Sequence, residues 1–226
     1  MLAVIVPANN EEDTIGPCLR SLRMAARWPG LQGETVLLIV VLDACTDATA
    51  GIATEAGAML VSLKARNVGM ARAEGAKLAL SLGARWLAFT DADTMVAPDW
   101  LHVQMSLCSD AVCGTVGVTD WGTYGEPMRR HFNATYTDAD GHQHIHGANL
   151  GVSAQAYQRV GGFEPLASSE DVALVRALQA VGARIAWSAA PRVVTSARRG
   201  FRAQGGFGAT LARVSEGLVP NTGAAP

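Results

Sequence analysis

Apolar runs of strand length alternate with helix-periodic stretches through the first 93 residues. The runs are residues 2–6, 35–42, 58–63 and 86–89. Their hydrophobicity is continuous rather than alternating, as in strands buried on both faces of a parallel sheet. Between them, Ile15, Leu19, Leu22 and Ala26 share one face of a first helix that Asp13 or Thr14 can cap. A second helix is predicted from Thr46 or Asp47 to Glu55, and a third from about Met70 to Leu82, stopped by Gly83. Repeated strand–helix units predict right-handed crossovers in a mostly parallel sheet flanked by helices. The fold class is therefore α/β and Rossmann-like.

Past Asp93 the rhythm breaks. A helix is expected from Pro98 to about Cys108, a strand over 111–118, and an irregular segment over 121–143. Residues 145–152 follow, then a short helix, a helix capped within 168–171 and running to Val181, and short strands at 184–187 and 192–195. No repeat or linker interrupts the chain. The reading is one domain over 1–199, with a nucleotide-binding half (1–93), an acceptor-side half (94–199) and a flexible Gly- and Arg-containing tail (200–226).

In parallel sheets ligands collect at the carboxyl ends of the strands. Four polar clusters fall there: residues 9–13, 43–47, 64–67 and 91–93. In the last, Asp91 and Asp93 end a core strand, where alternation would place both carboxylates on one side. Two close anions call for a cation or a shared proton. Mg²⁺ or Mn²⁺ bound together with a diphosphate meets that need, because such ions keep positions open for phosphate oxygens. Turn formation before Pro98 is the competing account, and this stretch alone leaves both open.

Composition narrows the partners. A net charge of −2 provides no basic field for nucleic acid. No apolar run reaches the ~18–20 residues of a membrane span, and the first residues lack the features of a signal peptide. Cys18, Cys45, Cys108 and Cys113 show no metal spacing and read as reduced core thiols of a cytoplasmic protein. Peripheral contact with a membrane surface is left open.

Five motifs in order at these strand ends resemble family 2 glycosyltransferases of the GT-A fold. They are residues 4–12 (Val-Ile-Val-Pro-Ala-Asn-Asn-Glu-Glu), 43–49 (Asp-Ala-Cys-Thr-Asp-Ala-Thr), Asn67-Val-Gly with Arg72, Asp91-Ala-Asp93, and Glu170-Asp171. The resemblance covers roughly residues 2–199. It implies a UDP- or GDP-sugar donor and a hydroxyl acceptor of unknown identity. Pro7, Asn10, Glu12 and Asn67 would then belong to the donor pocket, with Asp43 bonding the base and Arg72 near the base or diphosphate. Asp91 would hold the ribose or the metal loop, Asp93 the metal, and Gly147 and Asn149 would face the donor sugar and acceptor. Asp171 would be the general base, supported by Glu170, giving inversion. Retaining transfer, or donor binding without turnover, are the alternatives. The Gln-x-x-Arg-Trp motif of processive synthases is absent, which favours transfer of a single sugar.

Plainer roles compete for several of these residues. Glu170 and Asp171 suit the positive end of a helix, Asp47 is a helix cap, and Arg72 would ordinarily be solvated. His142, His144 and His146 alternate and would share one face if extended, but a polar edge beside the site is the preferred reading. His146 is the candidate third metal ligand, with water as the alternative. Arg198, Arg199 and Arg202 form either a lid on the diphosphate or a solvated basic tail. A nucleotidyltransferase or a dinucleotide dehydrogenase would need a glycine-rich loop after the first strand, where this chain has Ala8-Asn-Asn-Glu-Glu12.

Overall fold

The computed structural model describes residues 1–197 and 207–218. Its first half contains β1 (Leu2–Ala8), α1 (Ile15–Ala26), β2 (Val36–Asp43), α2 (Thr49–Glu55), β3 (Met59–Leu63), α3 (Val68–Ser81) and β4 (Trp86–Phe89). Then come β5 (Thr94–Val96), α4 (Trp100–Ser106), β6 (Ala111–Gly114), α5 (Gly125–Thr135), β7 (Leu150–Ser153), α6 (Ala154–Arg159), α7 (Glu170–Ala180), β8 (Ile185–Ser188), β9 (Val193–Thr195) and α8 (Phe207–Leu218). Seven strands form one sheet in the order β3-β2-β1-β4-β7-β6-β8. β7 runs antiparallel to both its neighbours, and every other pairing is parallel.

The continuous apolar runs are explained by two cores. Along β1, Leu2, Val4, Val6 and Ala8 pack with Ile15, Leu19 and Leu22 of α1 on one face. Ala3 and Ile5 point to the other, with Ala71, Ala76 and Ala79 of α3. Pro7 does not stop β1 as expected. β4 pairs only with Leu2–Ile5, so no ladder partner on that side needs the missing Pro7 N–H. Gly75 lets α3 lie close to the sheet, since a Cβ there would sit 2.5 Å from Ile5. That approach carries Arg72, one turn earlier, to the sheet's carboxyl edge.

Three departures from the sequence reading matter for the site. Asp91 and Asp93 lie in a turn, closed by Thr94 N–H donating to Asp91 O at 3.1 Å, and not in an extended strand. Strand alternation is therefore not what brings them together. β5 follows directly and pairs antiparallel with β9, fastened by the Thr94 and Thr195 hydroxyls at 2.9 Å. Second, the segment expected to be irregular contains α5. Only Met128 and Phe132 mark an apolar face on it, and these join Trp121 and Tyr124 against Leu211 and Val214 of α8. α8 itself lies in the stretch expected to be a loose tail. Third, Cys108 is an exposed thiol at the end of α4, while Cys18 and Cys113 are buried and all four cysteines are unpaired.

Candidate active site

A cavity of about 860 Å³ opens at the carboxyl ends of the strands. Pro7, Asn10, Asp43, Arg72, Asp91 and Asp93 line it from the first half, and His146, Gly147, Glu170 and Asp171 from the second. Among the described residues, four of the six non-glycine residues with left-handed backbone line it too: Asn10, Ala44, Arg66 and Ser169, with φ between 50° and 61°. Such conformations cost about 1 kcal/mol each and concentrate where a fold aims groups at a ligand.

Asp43, the last residue of β2, is buried and clamps the next loop. Its carboxylate accepts the backbone N–H groups of Ala65, Arg66 and Asn67 at 2.7–2.8 Å. Asn10 Oδ1 accepts the Thr46 N–H at 2.8 Å, tying the first two strand-end loops together. Glu12 does not line the cavity. It is exposed, and its carboxylate accepts the Ala48 N–H. The buried acid of that pair is Glu11, whose N–H donates to Thr49 Oγ1 and whose carboxylate accepts from Thr14. Asn67 is also not a lining residue. It caps α3 by accepting the Met70 N–H and donates to Pro165 O, which uses its side chain structurally.

The centre of the site is Arg72, only 3% exposed. Its guanidinium donates to Asp91 Oδ1 at 2.6 Å and to Glu170 Oε1. It also lies beneath Gly147, where a Cβ would collide with it. Arg72 therefore ties the Asp91 turn to the start of α7. Arg72 lines the cavity with its charge already shared between the buried Glu170 and the partly exposed Asp91. Glu170 is likewise 3% exposed and is bonded to Arg72. Asp171 is half-buried. Its Oδ2 accepts the Gly147 N–H at 2.7 Å and its Oδ1 the Val172 N–H at 2.8 Å. Ser169 precedes α7 in a left-handed conformation and gives no side-chain cap, and within 168–171 it is Asp171 that takes an N–H of the first turn.

Asn149 is not a ligand-facing residue. It is fully buried, accepts from Trp100 Nε1, and donates to Thr115 O and Pro191 O. Every polar atom of its amide is used in joining α4, β6 and the approach to β9. Gly147, two residues earlier, does line the cavity.

The histidines form part of an aromatic column. Phe132 stacks on Tyr136 (4.4 Å between centroids), Tyr136 on His144 (4.2 Å), and His144 on His142 (5.4 Å). His146 Nε2 lies 3.0 Å from the Tyr136 hydroxyl, which also accepts the Val116 N–H. One hydrogen bond joins the two groups, with its direction set by the imidazole tautomer. Burial, then His144 nearby, pushes the His146 imidazole down to about 4. Protons are thus bound more tightly by the unfolded chain than by the native one between pH ~6.5 and ~4. Stability is full above the unfolded value and falls with acidification; at pH 5 the loss from this group is about 2 kcal/mol. Urea titrations at pH 7 and pH 5 should show that loss, and His146→Gln should flatten it.

The sequence model of Glycosyl transferase family 2 matches residues 3–161. The chain belongs to that family. No curated protein matches it by sequence. Among solved structures, S. aureus TarS 1-349 in complex with UDP-GlcNAc superposes with a TM-score of 0.67 at 18% identity, covering 99% of this chain and 68% of that one. Mannosyltransferase PcManGT from Pyrobaculum calidifontis, in complex with GDP-Man and Mn²⁺, gives 0.61 at 21% identity over 88% and 57%. Glucosyl-3-phosphoglycerate synthase from Mycobacterium tuberculosis, with phosphoglyceric acid, gives 0.63 at 18% over 100% and 83%. The chain spans 36% of a longer TarS structure and 60% of TarS 1-349 with UDP. The fold is thus the GT-A arrangement, a mostly parallel sheet flanked by helices.

This family 2 site has a limited set of metal-binding side chains. Among the described residues, no group of three or more His, Cys, Asp or Glu gathers closely enough to hold an ion. The Asp91, Asp93 and His146 trio is therefore not assembled. His146 Nε2 is paired with the Tyr136 hydroxyl, and Asp91 shares its charge with Arg72. Asp93 lines the cavity beside Asp91. A hard cation held by one or two carboxylates, with phosphate and water completing its shell, fits this donor set. A closed all-protein site does not. Sequence reading chose Glu12 over its neighbour Glu11, and two adjacent acids offer no local signal of which one is enclosed. The arginines proposed as a lid (Arg198, Arg199 and Arg202) lie outside the described residues. Among the described residues no helix is long and apolar enough to cross a membrane.

Proposed function

We propose that this family 2 member transfers one sugar from a UDP- or GDP-sugar to an acceptor hydroxyl, with inversion at the anomeric carbon. The carrying observation is that Asp93 and Asp171, from different halves of the domain, line one cavity. The nucleoside end belongs with Pro7, Asn10 and Asp43, and the acceptor with the α5 and α7 side. Asp171 takes the proton of the attacking hydroxyl. Its two N–H donors orient the carboxylate, and each oxygen keeps an acceptor position for the incoming proton. Glu170 and Arg72 hold the start of α7 so that this carboxylate faces the reacting hydroxyl. Asp93, with Asp91 beside it, would hold Mg²⁺ or Mn²⁺. When bound, that ion supplies Lewis-acid neutralisation of the departing diphosphate.

Thermal shifts with UDP, GDP and their common sugars, with and without Mn²⁺, test donor binding. One nucleotide family should stabilise the protein, and stabilisation by none would overturn the reading. Asp93→Ala should remove the Mn²⁺-dependent part of that shift and leave the metal-independent part. Product anomers read by NMR test inversion, and a retained configuration would remove Asp171 as base.

A further inference from the structure

The outer face of α1 carries a feature that the catalytic reading does not use. Arg20, Arg23 and Arg27 follow at i, i+3 and i+7, so they form one stripe spanning about 10 Å along the helix. Beside them Met24 is 60% exposed and Trp28, just past the helix end, is 36% exposed. A small groove is lined by Arg20, Arg23, Met24 and Arg27. No acidic residue occurs between Asp13 and Glu34. None of the three arginines takes part in an ion pair among the described residues, and Glu34 is committed to Arg85 and the terminal amine. Glu55 on α2 and Asp99 at the start of α4, on elements that pack against α1, pair with none of them. A local charge of +3 thus stands on a chain whose net charge is −2.

We infer that this face of α1 docks the protein onto an anionic lipid surface. Uncompensated guanidinium groups supply attraction to lipid phosphates, and each adds roughly fivefold to partitioning near such a surface. An exposed tryptophan and a methionine at the same level supply what a purely electrostatic polyanion site lacks. Trp settles at the headgroup boundary, where its ring is apolar and its N–H stays wet. A nucleic acid would be served by the arginines but has no use for Met24. The placement also suits an enzyme that must take up a soluble donor. α1 leaves the carboxyl end of β1 and runs back along the sheet, so Arg27 and Trp28 lie at the end away from Asp43, Asp91 and Asp93. Docking there leaves the cavity open.

The full chain is tested by flotation with vesicles of phosphatidylcholine alone and with about one-third phosphatidylglycerol. Binding is expected only to the anionic vesicles, weakening as salt rises above ~0.1 M, where screening length is already about 10 Å. The triple variant Arg20→Glu, Arg23→Glu, Arg27→Glu should lose at least about tenfold in partitioning. Its nucleotide-induced shift should not change, since none of the three touches the cavity. Brominated lipid should quench fluorescence of the parent, and Trp28→Phe should remove most of that quenching. Absence of flotation on anionic vesicles, or equal flotation by the triple variant, would overturn the inference. So would equal arginine-dependent capture on duplex DNA without quenching by brominated lipid.

Discussion

Arg72→Ala is expected to cost about 3–5 kcal/mol of stability and to stop sugar transfer. The cost falls mainly on Glu170, which would remain buried at 3% exposure with its charge unpaired. Asp91, more than a third exposed on its side chain, can turn to water and contributes little. Desolvating an ion pair consumes most of its Coulomb energy, so the penalty comes from breaking the pair rather than from its net worth. The double variant Arg72→Met, Glu170→Gln should therefore recover most of the loss in urea unfolding. It should not recover transfer, because the Asp91 turn and the start of α7 lose their common tether. A single-variant cost below about 1 kcal/mol would mean that the guanidinium is not the sealed link between the two halves.

Asp171→Asn is expected to lower kcat by about 10²–10⁴ while leaving the dissociation constant of the donor unchanged. The amide oxygen can still accept one of the Gly147 and Val172 N–H groups, and the other loses its acceptor, which should cost about 1–3 kcal/mol in urea unfolding. What disappears is the ability to accept a proton as the acceptor oxygen attacks. Single-turnover transfer measured with saturating donor isolates that step. Equal rates in parent and variant would assign the base elsewhere. A rise in donor dissociation constant with kcat intact would make Asp171 a binding residue.

Residues whose place at the cavity was legible stand apart from those whose place was not. Asp91, Asp93, Glu170 and Asp171 were picked out as acids at element ends, and all four line one cavity. Glu12, Asn67 and Asn149 were picked out on the same kind of signal, yet their side chains serve the fold. Asn67 caps a helix, Glu12 joins two loops, and Asn149 saturates its amide in the interior. A motif states residue type and spacing, whereas the partners that use up a polar group come from distant chain. The donors and acceptors around Asn149 are 34 to 49 residues away. α5 was illegible for a related reason. Its apolar face is two residues wide, and its packing partner is a helix some 80 residues later.

By itself the chain determined its strand–helix rhythm, the parallel sheet and the edge where polar groups collect, because burial on both faces demands uninterrupted apolar runs. The motif order carried the family. Only the tertiary structure decided that Arg72 faces inward between two carboxylates and that Glu11 rather than Glu12 is enclosed. It also decided that the Asp91–Asp93 segment turns instead of extending. Those outcomes depend on which charges meet at low dielectric and which polar atoms find partners across the fold, and such pairings are not written in local spacing.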